Sequence, residues 1–91
     1  MRSVRLRITG RVQGVGYRAW ALPTANRLGL RGWVRNRSDG SVEALVIGED
    51  EAVARMIDAC REGPFGARVS DVAISDADDD ASAGFTPKPT V

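Results

Sequence analysis

The run Leu30-Arg31-Gly32-Trp33-Val34-Arg35-Asn36-Arg37-Ser38-Asp39-Gly40-Ser41-Val42-Glu43-Ala44-Leu45-Val46-Ile47-Gly48 reads as two extended segments, Leu30 to Arg35 and Ser41 to Gly48. They are joined through Arg37-Ser38-Asp39-Gly40, where Asp-Gly is a strong hairpin signal, so they are expected to pair as antiparallel neighbours. That hairpin fixes how the glycine-rich stretch upstream is read. Gly14-Val15-Gly16-Tyr17-Arg18-Ala19 satisfies the loose dinucleotide pattern of strand, glycines and helix. Such a site needs a parallel sheet with further βαβ units and an acid about 20 residues on. Here a hairpin follows and Asp39 belongs to its turn, while a Walker Gly-Lys-Ser/Thr does not occur.

Upstream, Val4, Leu6 and Ile8 alternate with Arg5, Arg7 and Thr9, the period of a strand with one wet face. After Gly10 to Gly16, Ala21, Ala25 and Leu28 fall at i, i+4 and i+7, and Gly29 stops a helix of about three turns. Pro23 lies inside it and predicts a kink or a loose first turn. Downstream, Val53, Met56, Ile57 and Cys60 form an apolar helical stripe, with Glu49, Asp50 and Glu51 at the positive end of the dipole and Gly63-Pro64 as the stop. Cys60 on that stripe reads as a buried small hydrophobe. Val69 to Ile74 is a strand in which Asp71 suggests a bulge. Ser75 to Gly84 is an acidic loop, and Phe85 to Val91 an edge strand or tail, since Pro87 and Pro89 are tolerated only there. The order is β-α-β-β-α-β. It implies an α+β, ferredoxin-like sandwich, a mostly antiparallel sheet with two helices on one face.

Ninety-one residues, 43% of them hydrophobic and 27% charged, describe one folded domain over residues 1–91, with 75–91 as acidic loop and irregular edge strand or tail. No apolar stretch approaches the roughly 18 residues of a membrane span, and the first residues alternate charge with hydrophobe, unlike a signal peptide. A cytoplasmic protein is expected. Cys60 is the only cysteine and histidine is absent, which excludes an intrachain disulfide, Cys/His zinc sites and any imidazole base. Residues 1 to 40 hold nine arginines against Asp39, whereas residues 41 to 91 hold four bases against eleven acids. Such polarity marks either an anion-binding face or two halves that neutralise each other.

The stretch Gly10-Arg11-Val12-Gln13-Gly14-Val15-Gly16-Tyr17-Arg18 connects the first strand to the first helix. Glycines at 14 and 16 let successive N–H groups turn inward, and the helix adds its positive end, which together make a nest for a phosphate-sized anion. Arg18 at the helix start offers a rigid guanidinium that grips two oxygens of the same anion. Asn36 shares strand parity with Leu30 and Val34. It is either a turn former or, if its strand lies near the loop, a side chain that holds a water beside the phosphorus without repelling a phosphate. Trp33 takes the other face, packed beneath a helix or partly exposed.

These stretches together, with Leu28-Gly29-Leu30-Arg31-Gly32-Trp33-Val34-Arg35-Asn36, Asp39-Gly40-Ser41-Val42-Glu43, Gly63-Pro64 and Ala67-Arg68-Val69, resemble the acylphosphatase family over about residues 4 to 74. The resemblance implies metal-independent hydrolysis of small-molecule acyl phosphates to carboxylate and inorganic phosphate, with no cofactor. It carries the catalytic arginine onto Arg18 and the water-positioning asparagine onto Asn36. The phosphate cradle falls on the backbone of Arg11, Val12, Gln13, Gly14, Val15 and Gly16. The family commonly ends in an alternating basic strand, whereas here Phe85-Thr86-Pro87-Lys88-Pro89 interrupts it, and Tyr17 stands where phenylalanine is frequent.

Other readings use the same residues. The element order also builds RNA-recognition domains, but their Lys/Arg-Gly-aromatic motif lies on the third strand, and Arg31-Gly32-Trp33 lies on the second. A non-catalytic anion-binding module, or a carbamoyl-phosphate-handling module like those inside hydrogenase-maturation carbamoyltransferases, is the nearer rival. Asp76, Asp78 and Asp80 are spaced like the start of a calcium loop, yet Ala81 and Pro87 occupy the positions that need glycine and glutamate, so a solvated loop is expected. No nucleic acid, membrane or second protomer is expected as a partner: the chain reads as a monomer acting on a small molecule.

Overall fold

A computed structural model describes all of residues 1–91. In chain order it contains β1 (Arg2–Arg11), α1 (Tyr17–Arg27), β2 (Arg31–Asn36), β3 (Val42–Gly48), α2 (Asp50–Glu62), β4 (Arg68–Asp76) and β5 (Phe85–Pro87). The strands form one sheet in the order β4-β1-β3-β2-β5. All pairs are antiparallel except β2 with β5. This is the ferredoxin-like arrangement expected from the sequence, with a short parallel strand added at one edge. No helix is long and apolar enough to cross a membrane.

One face of the sheet and both helices share the main core. Val4, Leu6 and Ile8 of β1 and Val42, Ala44 and Val46 of β3 meet Tyr17, Ala21 and Ala25 of α1 and Val53, Met56, Ile57 and Cys60 of α2. The α2 stripe is buried as its spacing predicts, and burial pushes the Cys60 thiol up to about 11. β1 runs longer than its alternating segment because it pairs on both sides, with β3 and with β4, and the ladder to β4 carries it to Arg11.

α1 runs through Pro23 from Tyr17 to Arg27. The proline is exposed, and so is Ala19, whose carbonyl loses its usual i+4 donor. Both residues lie on the exposed face of α1, where a lost backbone hydrogen bond costs less than in the core, and the helix continues. The expected bulge is present: Thr9 faces Asp71 but Gly10 faces Val69, leaving Ser70 as the extra residue of β4. In the tail, the Lys88 N–H donates to the Val34 carbonyl at 2.9 Å, so the flanking Pro87 and Pro89 turn their missing donors toward the open edge.

The outer face holds a second, smaller cluster of Trp33, Leu45 and Ile47, with Ala77 packed against it. Trp33 is only 6% exposed although no helix covers it. Its cover is the Arg35 guanidinium at 4.6 Å and the Lys88 ammonium at 5.6 Å from the ring centre. Ala77 and the acidic loop lie alongside, the aspartates of the loop exposed as expected. Asp79 accepts from both terminal nitrogens of Arg31, and Asp80 accepts from the Trp33 indole at 3.2 Å.

Glu43 lies on the same face, opposite Arg7 of β1 and Arg35 of β2. It accepts from Arg35 at 2.7 Å and Arg37 at 3.1 Å, and lies 3.6 Å from Arg5. Burial alone would raise its carboxyl, but the hydrogen bonds and charges of Arg35 and Arg37 prevail and hold it below the usual glutamate range. A depressed carboxyl contributes stability in full above its unfolded pKa of about 4.3, and loses it as pH falls through the lower folded value. Glu43→Gln is therefore expected to destabilise the fold by about 2 kcal/mol at pH 7. In urea denaturation repeated at decreasing pH, the difference from wild type should shrink once pH falls below about 4.

Candidate active site

The connection from β1 to α1 is built by backbone conformation more than by packing. Gly14 and Gly16 have φ of 76° and 78°, and a Cβ built on either would meet nothing within 4 Å. The left-handed backbone, and not a lack of room, is what requires glycine. Gly16 caps α1 without a side-chain hydrogen bond, and the first helical bond is Trp20 N–H to the Gly16 carbonyl at 3.0 Å. From Val12 through Ala19 no backbone N–H donates to a protein acceptor. Such a row of free donors at the positive end of a helix suits an anion.

Asn36 arrives from the other side of β3. Ile8 and Asn36 both pair with Val42, so Ile8, Val42 and Asn36 form one row across three strands. Ile8 and Val42 belong to the core on the helix side, and strand alternation sends the Asn36 side chain to that side as well. The result is a cleft of about 340 Å³ whose lining includes Val12, Gln13, Gly14, Gly16, Arg18 and Asn36. Arg18 is exposed, makes no ion pair, and is the only charged residue of that lining. The two side chains singled out in the sequence thus share one cleft. Of the expected cradle, Arg11 ends β1 opposite Arg68 and Val15 packs against the core, so neither lines it.

Some supports were not visible in the sequence. The Gln13 side-chain amide donates to the Arg37 carbonyl at 2.7 Å and the Ser41 carbonyl at 2.8 Å. It joins the glycine-rich loop to the hairpin that begins one residue after Asn36. Tyr17 sets the start of α1. Its hydroxyl donates to the Cys60 carbonyl at 2.6 Å, one of the carbonyls left over at the end of α2, and its ring meets Trp20 edge-on at 5.2 Å. Burial pushes the Tyr17 phenol well above its ordinary value, so it is a donor at every physiological pH. Ala19, Leu22 and Pro87 complete the wall of the cleft. Gln13 lies 24 and 28 residues from its acceptors, a separation no local pattern reports.

A larger hollow, about 470 Å³, lies on the outer face between Arg5, Trp33, Leu45 and the Asp76–Asp80 segment. Asp76, Asp78 and Asp80 line it and would repel an anion, so size alone does not make it the site.

Free main-chain donors, one uncommitted guanidinium and one carboxamide, carried at the same end of a ferredoxin-like sheet, make a small α+β domain with a cleft suited to an oxyanion. The acylphosphatase family model matches residues 4–87, and the chain belongs to the acylphosphatase family, whose members act on small-molecule acyl phosphates. It is 50% identical over 91 residues to an acylphosphatase of Rhodospirillum rubrum, each chain being covered in full. It is 58% identical over 85 residues to one of Rhizobium meliloti, covering 92% of this chain and 90% of that protein. Its fold matches the crystal structure of acylphosphatase from Bacillus subtilis with a TM-score of 0.93 at 32% identity, over 97% of this chain and 99% of the other.

Gln13→Met removes both donors from the Arg37 and Ser41 carbonyls. It is expected to cost about 1–3 kcal/mol of stability, measured by urea denaturation. Amide exchange at Arg37 and Gly40, whose N–H groups donate to the Ser41 and Arg37 carbonyls, should quicken while that of α2 stays as in wild type, because the turn loses its tie to the loop and the α2 packing is untouched.

Proposed function

We propose that the cleft hydrolyses the carboxyl–phosphate bond of acyl phosphates, with Arg18 and Asn36 as its catalytic side chains and the loop backbone between Arg11 and Gly16 as its phosphate cradle. In this reading residues 1–91 act as one domain, as a monomer in the cytoplasm, without a metal ion or cofactor. The observation that carries it is the set of unpaired N–H groups on Val12, Gln13, Gly14 and Gly16, in a cleft shared with Arg18 and Asn36.

The chemistry follows from what each group supplies. Phosphoryl transfer asks for positioning and charge stabilisation, because its transition state spreads charge over the phosphoryl oxygens. The amides and the Arg18 guanidinium stabilise those oxygens, the guanidinium by two parallel hydrogen bonds. Asn36 makes no hydrogen bond through its side chain within the protein, and its carboxamide is free to hold a water in line with the leaving oxygen. The leaving group is a carboxylate, whose conjugate acid has a pKa of about 4 by analogy with Asp and Glu, so it departs at neutral pH without a general acid. The proton of the attacking water passes to a phosphate oxygen of the substrate, and no histidine is needed. An RNA-reading role lacks its reader, since Trp33 is buried, with Arg35 and Lys88 over its ring and its indole N–H donating to Asp80.

Benzoyl phosphate hydrolysis, followed spectrophotometrically in the presence of a chelator, tests this reading. Wild type should turn over, and Asn36→Ala should lower kcat by ~10² or more with little change in inhibition by inorganic phosphate. Arg18→Lys should lose most activity, since a point charge does not reproduce the bidentate grip. An unchanged kcat in Asn36→Ala would remove that residue from the mechanism.

A further inference from the structure

We infer that Leu22 of α1 and Pro87 of β5 form the acyl-group subsite of the cleft, and that they select acyl phosphates with an uncharged, apolar acyl group over those bearing a second carboxylate. The inference rests on the phosphate position proposed above and adds the identity of what lies beyond it.

The two residues sit one step further from the glycine-rich loop than the proposed phosphate site, on opposite walls. Leu22 follows Arg18 by four residues, on the same helix face and about 6 Å further from the helix start. Pro87 pairs with Val34, two residues before Asn36, which is about 7 Å back along β2. α1 runs away from the glycine-rich loop and β2 runs toward it, so both displacements point the same way. Phe85 is buried in the helix-side core, and Pro87 has the same strand parity, which turns its ring to the cleft. Both residues line the same 340 Å³ space as Arg18 and Asn36.

That tier offers no partner for charge. Arg18 is the only charged residue of the lining, and its guanidinium is committed to the phosphoryl oxygens. A carboxylate at the end of an acyl chain would lose part of its water against half-buried Leu22 and gain no counter-ion from either wall. An aryl or alkyl group gains apolar contact, the kind of difference that separates substrates by about 10- to 200-fold. Pro87 belongs to the tail whose prolines set this chain apart from the family pattern, so a residue of that interruption becomes part of substrate choice.

The test is the ratio of kcat/KM for benzoyl phosphate to that for succinyl phosphate, a quantity independent of how much active enzyme each preparation holds. Wild type should favour benzoyl phosphate by about tenfold or more. Leu22→Gln and Pro87→Lys should each lower the ratio by about tenfold, and the lysine variant should do so partly by improving succinyl phosphate. Pro87 is exposed at an open edge, so its variant keeps the fold even where Leu22→Gln weakens it. A wild-type ratio near one, or a ratio within about twofold of wild type in both variants, overturns the inference. Failure of wild type to hydrolyse either substrate, or undiminished hydrolysis of both by Arg18→Ala, overturns instead the functional reading beneath it.

Discussion

β3 lies between β1 and β2 and runs antiparallel to both, and the site depends on that arrangement. Two strands antiparallel to a common neighbour are parallel to each other. The C-terminal ends of β1 and β2 therefore emerge at the same end of the sheet. One carries the glycine-rich loop and the other carries Asn36. The row Ile8–Val42–Asn36 fixes their relative height, and a slip of one residue would send Asn36 to the outer face. Close approach helps to hold the register: Gly32 lies against the Leu45 backbone so tightly that a Cβ there would collide with the Leu45 carbonyl.

The charge polarity of the chain serves two purposes. On the outer face it is mutual neutralisation. Glu43 draws in Arg5, Arg35 and Arg37, Asp39 meets Arg7, and Asp79 holds Arg31. These contacts bind the hairpin to β1 and bring the acidic loop alongside Trp33. On the helix side Arg18 is left without an acid, within the cleft and beside unpaired amides. Local acids satisfy the arginines that hold the sheet together, and the absence of one beside Arg18 leaves its charge for a ligand.

The features most legible in the sequence are those with a short physical range. The alternation of Val4, Leu6 and Ile8, the stripe of Val53, Met56, Ile57 and Cys60, and the punctuation at Gly29 and Gly63-Pro64 each act within one element. The bulge near Asp71 and the edge position of the prolines also followed from local rules. The limits came where distant segments meet. Pro23 sits without breaking α1 because tertiary packing left its side of the helix in water. Trp33 is covered in part by Ala77, Asp80 and Lys88, all more than forty residues away. The parallel pairing of β5, the Gln13 bridge and the Tyr17–Cys60 hydrogen bond are likewise long-range.

By itself the sequence determined the order of elements, the left-handed glycines of the loop and the candidacy of Arg18 and Asn36. Backbone dihedral preference, hydrophobic period and side-chain charge are properties of residues and their near neighbours. Only the tertiary structure decided that Arg18 and Asn36 share a cleft, that Gln13 ties their two supports together, and that Leu22 and Pro87 lie beyond them. Those relations depend on strand register and on hydrogen bonds between segments far apart in the chain, which exist only once β1, β2 and β3 have been aligned.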